Sequence, residues 1–193
     1  MSERISDDDV REVLGARGAI LSGHFQLTSG RHSDTYVQCA RVLEDPALTT
    51  RLAQEMVARF DERVDVVAAP AVGGILIGFA VAQALGVGFI FSERTAGRML
   101  FRRSFEVPSD AHVLVVEDVV TTGDSVREVV DLVEGAGGEV VSVVSLIDRG
   151  GPKAFDAPFE PLFRLQVDSW EPDSCRLCAA AEPLTSPGSR RLS

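Results

Sequence analysis

Apolar and polar positions follow two different periods through the middle of the chain. Short β-branched runs, such as residues 113–116, are typical of strands that are covered on both faces, and helical spacing of apolar residues separates them. The predicted order is a helix from residue 46, strand 64–69, helix 74–85, strand 87–91, hairpin 94–107, strand 113–116, helix 124–136 and strand 140–146. Strands that alternate with helices pair in parallel through right-handed crossovers. The pattern therefore predicts an α/β fold with a doubly wound, mostly parallel sheet flanked by helices.

The two ends of the chain are less regular and are expected to form a small hood. Acidic residues at 7–9 precede the apolar positions of an amphipathic helix, whereas glycines and serines interrupt residues 18–39. One further strand is expected at 162–167. We interpret residues 1–193 as a single domain, with a core at 46–151, a hood at about 1–45 and 152–182, and a mobile tail at 183–193.

Composition narrows the choice of partners. The net charge is -10, whereas nonspecific nucleic-acid binding depends on a basic surface. The longest apolar runs are too short to span a membrane. The acidic start of the chain differs from the basic and then apolar pattern of a secretory signal. We therefore expect a cytoplasmic protein with small-molecule partners that binds neither nucleic acid nor membrane.

The strongest chemical motif joins a buried strand to a helix. The sequence VLVVEDVVTTGDS, at residues 113–125, runs from an apolar strand into Glu117 and Asp118 and then into a turn of small residues. Two adjacent carboxylates repel one another, and backbone amides at a helix N-terminus form an anion cradle. This combination suits a sugar phosphate, with the acids on ribose hydroxyls and the amides on the 5-phosphate. An ordinary strand-to-helix turn that begins a helix near Asp124 is the alternative, but it leaves the acidic pair unexplained.

A second glycine turn, APAVGG at residues 69–74, follows the strand predicted at 64–69. Paired glycines let a ligand approach the backbone closely ahead of a helix. They are equally suited to close packing of that helix on the sheet. Ligands bind outside the carboxyl ends of strands in such sheets, and the position of this turn beside the first one favours a binding role.

Residues 113–125 resemble the phosphoribosyl pyrophosphate signature of the type I phosphoribosyltransferases, which transfer ribose 5-phosphate to a nitrogenous base. The resemblance implies that Glu117 and Asp118 hold the ribose diol and that these two residues and Arg94 are catalytic. It also implies Mg²⁺ as the cofactor, held mainly through the substrate and without a dedicated protein site. The implied contacts to phosphoribosyl pyrophosphate are Glu117, Asp118, Val119, Val120, Thr121, Thr122, Gly123, Asp124, Ser125, Ala71, Val72, Gly73, Gly74, Arg94 and Arg98.

Two further segments resemble the orotate phosphoribosyltransferases of that group. Residues 25–36, FQLTSGRHSDTY, keep the pattern F-x-L-x-S-G-x-x-S-x-x-Y, and LIDR at 146–149 is similar to the strand end that presents an arginine to the base. A guanidinium fork pairs well with the carboxylate and planar edge of orotate. A surface ion pair between Arg149 and Asp148 is the alternative. The resemblance implies orotate contacts at Thr121, Arg149, Phe25 and Tyr36.

Four arginines fall within the predicted hairpin 94–107. Charge runs usually form solvated faces, but Met99, Leu100 and Phe101 lie among these arginines, and we interpret them as an exposed apolar tip that closes onto a surface. In the resembling family this loop reaches the site of the neighbouring subunit, which implies a homodimer with shared sites.

Many members of that family carry lysines and a histidine in this loop. A guanidinium cannot act as a general acid at neutral pH, so Arg94 is assigned to electrostatics and no proton donor is named.

The sequence alone does not decide whether the cysteines and two of the histidines bind a metal ion. Cys175 and Cys178 form one C-x-x-C pair, and Cys39 lies far from them in sequence. One such pair without a second Cys or His pair nearby in the chain is half of a structural zinc site, and a plain surface turn is the alternative. His24 and His32 lie near the base-binding segment, where a histidine is more often a structural hydrogen-bonding residue than a catalyst. No disulfide framework is implied, which fits a reducing compartment.

Two other functions fit parts of the pattern. A purine phosphoribosyltransferase would share the donor site and differ in its base pocket. A non-catalytic regulator that binds phosphoribosyl pyrophosphate would need a DNA-binding module or a basic face, and neither is visible at this length and charge. Orotate, hypoxanthine and adenine, compared as acceptors, distinguish the two enzymes.

Overall fold

The computed structural model describes residues 7–27 and 29–187. The helices are α1 (Asp7–Ala16), α2 (Ala40–Leu43), α3 (Pro46–Val57), α4 (Gly73–Leu85), α5 (Asp124–Gly135) and α6 (Arg176–Ala179). The strands are β1 (Ile20–Gln26), β2 (His32–Val37), β3 (Val66–Pro70), β4 (Gly88–Thr95), β5 (Arg98–Phe101), β6 (His112–Val120), β7 (Glu139–Asp148), β8 (Phe159–Arg164) and β9 (Ser169–Trp170). Across the described residues, no helix has both the length and the apolar character that crossing a bilayer demands.

A six-stranded sheet in the order β5-β4-β3-β6-β7-β8 forms the core. All neighbouring pairs are parallel except β4 with β5. Alternate residues of β6 face opposite sides of the sheet: Leu114 packs in a cluster with Leu52 of α3 and Ile77 of α4, whereas Val115 packs in a second cluster with Val129 of α5. Helices therefore cover both faces, and the predicted doubly wound α/β fold is confirmed.

Strand β6 is longer than its apolar run predicts. It extends from His112 to Val120, and Glu117 pairs with Ser145 of β7. Glu117 and Asp118 are therefore strand residues, and the ladder on the β7 side fixes the backbone that carries both carboxylates.

A small antiparallel sheet in the order β1-β2-β9 forms the hood. Its third strand comes from the C-terminal part of the chain, and Ser33 of β2 pairs with Ser169 of β9. Farther on, Thr185 forms a bridge with Phe25 of β1. Thr185 and Ser186 of the predicted mobile tail are thus hydrogen-bonded to β1, and residues 188–193 lie outside the described residues.

Strand β8 belongs to the core sheet, although the sequence assigned residues 152–182 to the hood. It pairs in parallel with β7, with Phe163 opposite Ile147. Leu162 and Phe163 are almost fully buried in the same cluster as α3 and α4. The burial of these two large side chains explains why this segment adds to the edge of the sheet, and the C-terminal part of the hood begins after Arg164.

Candidate active site

A cleft of about 710 Å³ opens where the hood meets the carboxyl ends of β6 and β7. Tyr36 lines it from the hood, and Glu117, Thr122 and Arg149 line it from the core. Ligands of doubly wound sheets bind at this edge. The fold therefore brings the predicted phosphate turn, one carboxylate of the acidic pair and three of the four predicted base contacts (Tyr36, Thr121 and Arg149) into one cavity.

The acidic pair is held by local hydrogen bonds. The Asp118 amide donates to Glu117 Oε1 at 3.0 Å, and the Val119 amide donates to Asp118 Oδ1 at 2.8 Å. Burial, reinforced by the negative charges of Asp118 and Glu117, raises the pKa of the neighbouring Cys39 thiol well above its usual value. The two carboxylates thus produce a negative potential at the base of the site, which suits a ligand that develops positive charge.

The second glycine turn packs directly against these carboxylates. A Cβ added at Gly73 would lie 2.6 Å from Asp118 Oδ1, and one added at Gly74 would lie 3.1 Å from Glu117 Oε1. A larger residue at Gly73 would have to displace the Asp118 carboxylate, and one at Gly74 would crowd Glu117 and the Val116 carbonyl. The structure therefore brings the turn at residues 71–74 and the acidic pair together, as the sequence predicts.

For the reaction that the sequence resemblance implies, Gly73→Ala is expected to lower kcat/KM for phosphoribosyl pyrophosphate by roughly tenfold, which corresponds to about 1.4 kcal/mol of transition-state stabilisation. The added methyl group must displace the Asp118 carboxylate, because the two would otherwise approach to 2.6 Å. Steady-state kinetics with the donor as the varied substrate measure the effect. Gly135→Ala is the matched control, since a Cβ there meets nothing within 4 Å. Unchanged kinetics in the Gly73 variant would contradict the role given to this close approach.

The turn that leads into α5 has the form of an anion cradle. Gly123 adopts a left-handed conformation (φ 81°) at the N-cap of α5, and no side chain caps this helix. A Cβ at Gly123 would lie 2.5 Å from a ring carbon of Phe155, so the backbone has room only for glycine. Residues 121–126 all line the cleft. Since the first amides of a helix lack intrahelical partners, this end of α5 can bind a phosphate group.

Arg149 lies at the opposite wall of the cleft. Its amide donates to the Val120 carbonyl at 2.9 Å, and its buried Nε has no hydrogen-bond partner among the described residues. Burial lowers the pKa of this guanidinium. The alternative ion pair with Asp148 is not formed, because Lys153 Nζ donates to Asp148 Oδ1 at 2.6 Å and Arg164 lies 3.8 Å from the other oxygen. Arg149 therefore lines the cavity with a guanidinium that Asp148 does not neutralise, and its fork of N–H donors suits a planar anionic ligand.

The Tyr36 phenol lies near both the Asp118 carboxylate and the Arg149 guanidinium. Burial raises the pKa of its phenol, the negative charge of Asp118 raises it further, and the Arg149 guanidinium opposes the rise. Phe25, another predicted base contact, does not line the cleft; its ring packs on that of Tyr36 with the centroids 5.7 Å apart. Phe25 thus supports Tyr36 from behind.

Sequence reasoning missed two residues that organise the cleft. Lys153, the only lysine of the chain, donates to Asp148 and to the carbonyls of Thr121 and Gly150 at 3.0 Å, and so ties the phosphate turn to the loop that carries Arg149. Arg31 lines the cleft and donates to the side chain and carbonyl of Ser169. The sequence did contain a signal for Lys153, because a single lysine in a glycine-rich turn after a strand end lies where ligands bind.

The arginine hairpin lies outside this cleft. Arg94 and Arg98 do not line it, and Arg94 instead donates to the Gly97 carbonyl and to Glu128 of α5, both at 2.9 Å. The apolar tip is smaller than predicted. Met99 is 7% exposed and packs against the core, whereas Leu100 is 41% exposed. Alternation along β5 explains the difference, since successive strand residues face opposite sides.

Comparison with known proteins agrees with this site. A family described as the phosphoribosyl transferase domain matches residues 40–171, a range that includes both glycine turns, the acidic pair and Arg149. The fold and the site together define a phosphoribosyltransferase.

Individual relatives narrow the family further. The chain is 46% identical to an orotate phosphoribosyltransferase from Desulforamulus reducens over 96% of this chain and 98% of that protein. It is 48% identical to another from Heliobacterium modesticaldum over 96% and 100%. A solved orotate phosphoribosyltransferase from Aeropyrum pernix superimposes with a TM-score of 0.71 at 25% identity, covering 81% of this chain and 94% of that chain. The chain belongs to the orotate phosphoribosyltransferase family.

Proposed function

We propose that this protein transfers the 5-phosphoribosyl group of phosphoribosyl pyrophosphate to orotate, and so forms orotidine 5'-phosphate and pyrophosphate in pyrimidine biosynthesis. The observation that carries the proposal is the composition of this cleft. The N-terminal turn of α5, a carboxylate of the acidic pair and the Arg149 guanidinium all line it. These groups match the phosphate, the ribose and the anionic base of the reaction.

The charges of the site suit the transition state of this transfer. Cleavage of the bond between ribose C1 and pyrophosphate develops positive charge on the sugar, which the carboxylates of Glu117 and Asp118 stabilise. The first amides of α5 hold the 5-phosphate, and the turn at residues 71–74 accepts the leaving pyrophosphate. Tyr36 and Arg149 orient the base. The hood helps to exclude water, which would otherwise hydrolyse the donor.

Magnesium fits this donor set as a substrate-bound ion. Within the described part of the chain, the one cluster of three or more potential metal-ligating side chains consists of histidines and cysteines, which are not ligands that Mg²⁺ prefers. The Glu117 and Asp118 carboxylates are the hard oxygen donors of the site. Mg²⁺ bound with the donor would neutralise charge on the pyrophosphate, and these two carboxylates would contact it or the ribose hydroxyls beside it.

An assay of orotate consumption tests the proposed reaction. Loss of orotate absorbance is expected only when both phosphoribosyl pyrophosphate and Mg²⁺ are added. Hypoxanthine and adenine should remain unchanged under the same conditions. Turnover of either purine would favour a purine phosphoribosyltransferase, and donor binding without turnover of any base would favour a regulator.

Arg149→Ala is expected to raise the KM for orotate by about tenfold, because a hydrogen bond to a charged group contributes about 1.5 kcal/mol or more. The KM for phosphoribosyl pyrophosphate should change little, since only the base meets this side chain in the proposed complex. Steady-state kinetics with each substrate varied in turn measure the two values. Arg164→Ala is the matched control, because Arg164 ends the neighbouring strand β8 and is exposed. Equal effects on both substrates would place Arg149 elsewhere in the reaction.

We also propose a homodimer in which the subunits share their sites. Val72, Leu76 and Phe79 are 82%, 54% and 59% exposed, and their spacing places Leu76 and Phe79 on one face at the start of α4, next to Val72. A cluster of exposed apolar side chains favours a protein interface. Val72 belongs to the turn proposed to bind pyrophosphate, so a second copy on this face would contact the site. Sedimentation velocity measures the oligomeric state.

A cytoplasmic location is proposed on the basis of thiol chemistry. The three cysteines are all free thiols, and unpaired thiols persist in reducing compartments. The net charge of -10 supports small-molecule partners over nucleic acid.

A further inference from the structure

Four potential metal ligands converge in the hood, away from the proposed active site. His24 lies in β1, His32 in β2, Cys178 in α6 and Cys175 directly before α6. Their ligand atoms all lie within 4.8 Å of one another. The two histidines and Cys175 are buried, and Cys178 is at the surface. The sequence identifies the C-x-x-C pair as half of a metal site. In the structure, two histidines from the other end of the chain complete the set of four ligands.

The distances between these atoms match the edges of a tetrahedron around zinc. With Zn–N bonds of about 2.05 Å and Zn–S bonds of about 2.3 Å, tetrahedral geometry requires about 3.3 Å between two nitrogens and about 3.6 Å between nitrogen and sulfur. His24 Nε2 lies 3.1 Å from His32 Nδ1 and 3.5 Å from Cys175 Sγ. Cys178 Sγ lies 3.7 Å from His24 Nε2 and 3.2 Å from His32 Nδ1. Four of the six distances among the ligand atoms are therefore close to those around one zinc ion, and the other two are within 4.8 Å.

The ring of His24 is oriented by a contact on its far side. His24 Nδ1 lies 2.9 Å from the Glu182 carbonyl oxygen, and because a carbonyl only accepts, this nitrogen must carry the proton. In the neutral ring, Nε2 then has a lone pair directed at the other three ligand atoms. Histidines that bind metals commonly donate their second N–H to a carbonyl in this way, which fixes the tautomer.

We propose that His24, His32, Cys175 and Cys178 bind one structural Zn²⁺ ion that joins the C-terminal segment to the first two strands of the hood. Two thiolates and two imidazoles in tetrahedral spacing are a donor set typical of zinc. Four protein ligands leave no open position for substrate, so the ion has a structural and not a catalytic role. This site is independent of the proposed magnesium, which requires oxygen ligands.

The ion would stabilise the wall of the cleft that faces the base. His32 is adjacent to Arg31, which lines the cleft and is hydrogen-bonded to Ser169. Near the cysteines, Arg176 pairs with Asp34 of β2 at 2.5 Å. Both contacts depend on the C-terminal segment lying against β2. Loss of the ion is therefore expected to loosen the hood and to weaken orotate binding more than donor binding.

Metal analysis of the intact protein tests the proposal. The chain, reduced and purified without chelators or a metal-affinity tag, is expected to contain or take up about one Zn²⁺ per chain. Co²⁺ in its place should give the visible absorption of a tetrahedral site and thiolate charge-transfer bands. Strong chelators should release the ion, expose two additional reactive thiols, and lower Tm by on the order of 5 °C.

Matched variants identify the ligands. Cys178→Ser and His32→Gln should reduce bound zinc from about one ion to a small fraction per chain, whereas Cys39→Ser and His112→Gln should retain it. If a ligand variant fails to fold, the Co²⁺ spectrum and the chelator-dependent thiol count of the unaltered chain decide the question. Absence of zinc uptake by the reduced chain would overturn the proposal, as would a stable Cys175–Cys178 disulfide that still prevents uptake after attempted reduction. Equal zinc retention in both sets of variants would also overturn it.

Discussion

Asp118→Asn is expected to lower kcat by roughly ten- to hundredfold, since loss of a charged hydrogen bond costs about 1.5–3 kcal/mol. The proposed reaction develops positive charge on the ribose, and the substitution removes one of the two carboxylates that stabilise it. The fold should remain intact, because asparagine retains the Oδ1 atom that accepts from the Val119 amide. Initial rates of orotate consumption and the Tm of the variant measure both expectations.

Asp131→Asn provides the control for this substitution. Asp131 is an exposed residue of α5 whose only recorded partner in the described structure is Arg127, at 3.3 Å, and pairs of this kind contribute little to stability. The same chemical change there should leave kcat unchanged. An Asp118→Asn chain with normal kcat and normal donor affinity would exclude Asp118 from the proposed role.

The acidic strand end could be predicted from sequence because every part of it is local. The apolar run at 113–116, the two carboxylates and the turn at 121–125 are contiguous, and the rule that ligands bind at the carboxyl ends of parallel strands gives their location. Arg149 could be predicted for the same reason, because it lies three residues after the end of the strand predicted at 140–146. Where chemistry depends on one strand and the turn that follows it, the sequence pattern is sufficient.

The cluster of two histidines and two cysteines could not be predicted because its members are distant in sequence. His32 and Cys178 are separated by 146 positions, and only the antiparallel pairing of β2 with β9 returns the C-terminal segment to the hood. Lys153 was missed for a similar reason, since its contact with the Thr121 carbonyl spans 32 positions. These sites depend on tertiary structure and not on a local pattern.

The structure also differs from the sequence pattern in which apolar residues of the hairpin are exposed. Met99, Leu100 and Phe101 form one apolar run in sequence, but strand geometry sends alternate residues to opposite faces. Met99 joins the cluster packed on α5, and Leu100 remains exposed. All four arginines of the hairpin are exposed, and Leu100 is its one exposed large apolar residue, which favours an electrostatic role over an apolar closure.

Mixing two inactive chains is expected to restore activity if the hairpin arginines serve the neighbouring subunit. Arg94 and Arg98 do not line the cleft of their own chain, and Arg94 is paired with Glu128 on the outer side of the sheet. The proposed shared-site dimer, formed through the exposed face that begins at Val72, requires the arginines of one chain to reach the pyrophosphate turn of the other. A chain with Asp118→Asn and a chain with Arg94→Ala and Arg98→Ala should each be weakly active alone.

The mixed dimer contains one site with an intact Asp118 and intact arginines, and one site that lacks both. For equal amounts and free exchange, half of the dimers are mixed and half of their sites are complete, so about one quarter of the unaltered activity should return. The control replaces the second chain by one that also carries Asp118→Asn, because no site in that mixture has the carboxylate. Co-purification of differently tagged chains measures exchange. If the subunits exchange and the activity stays at the level of the separate chains, the hairpin acts within its own subunit and the shared-site arrangement is wrong.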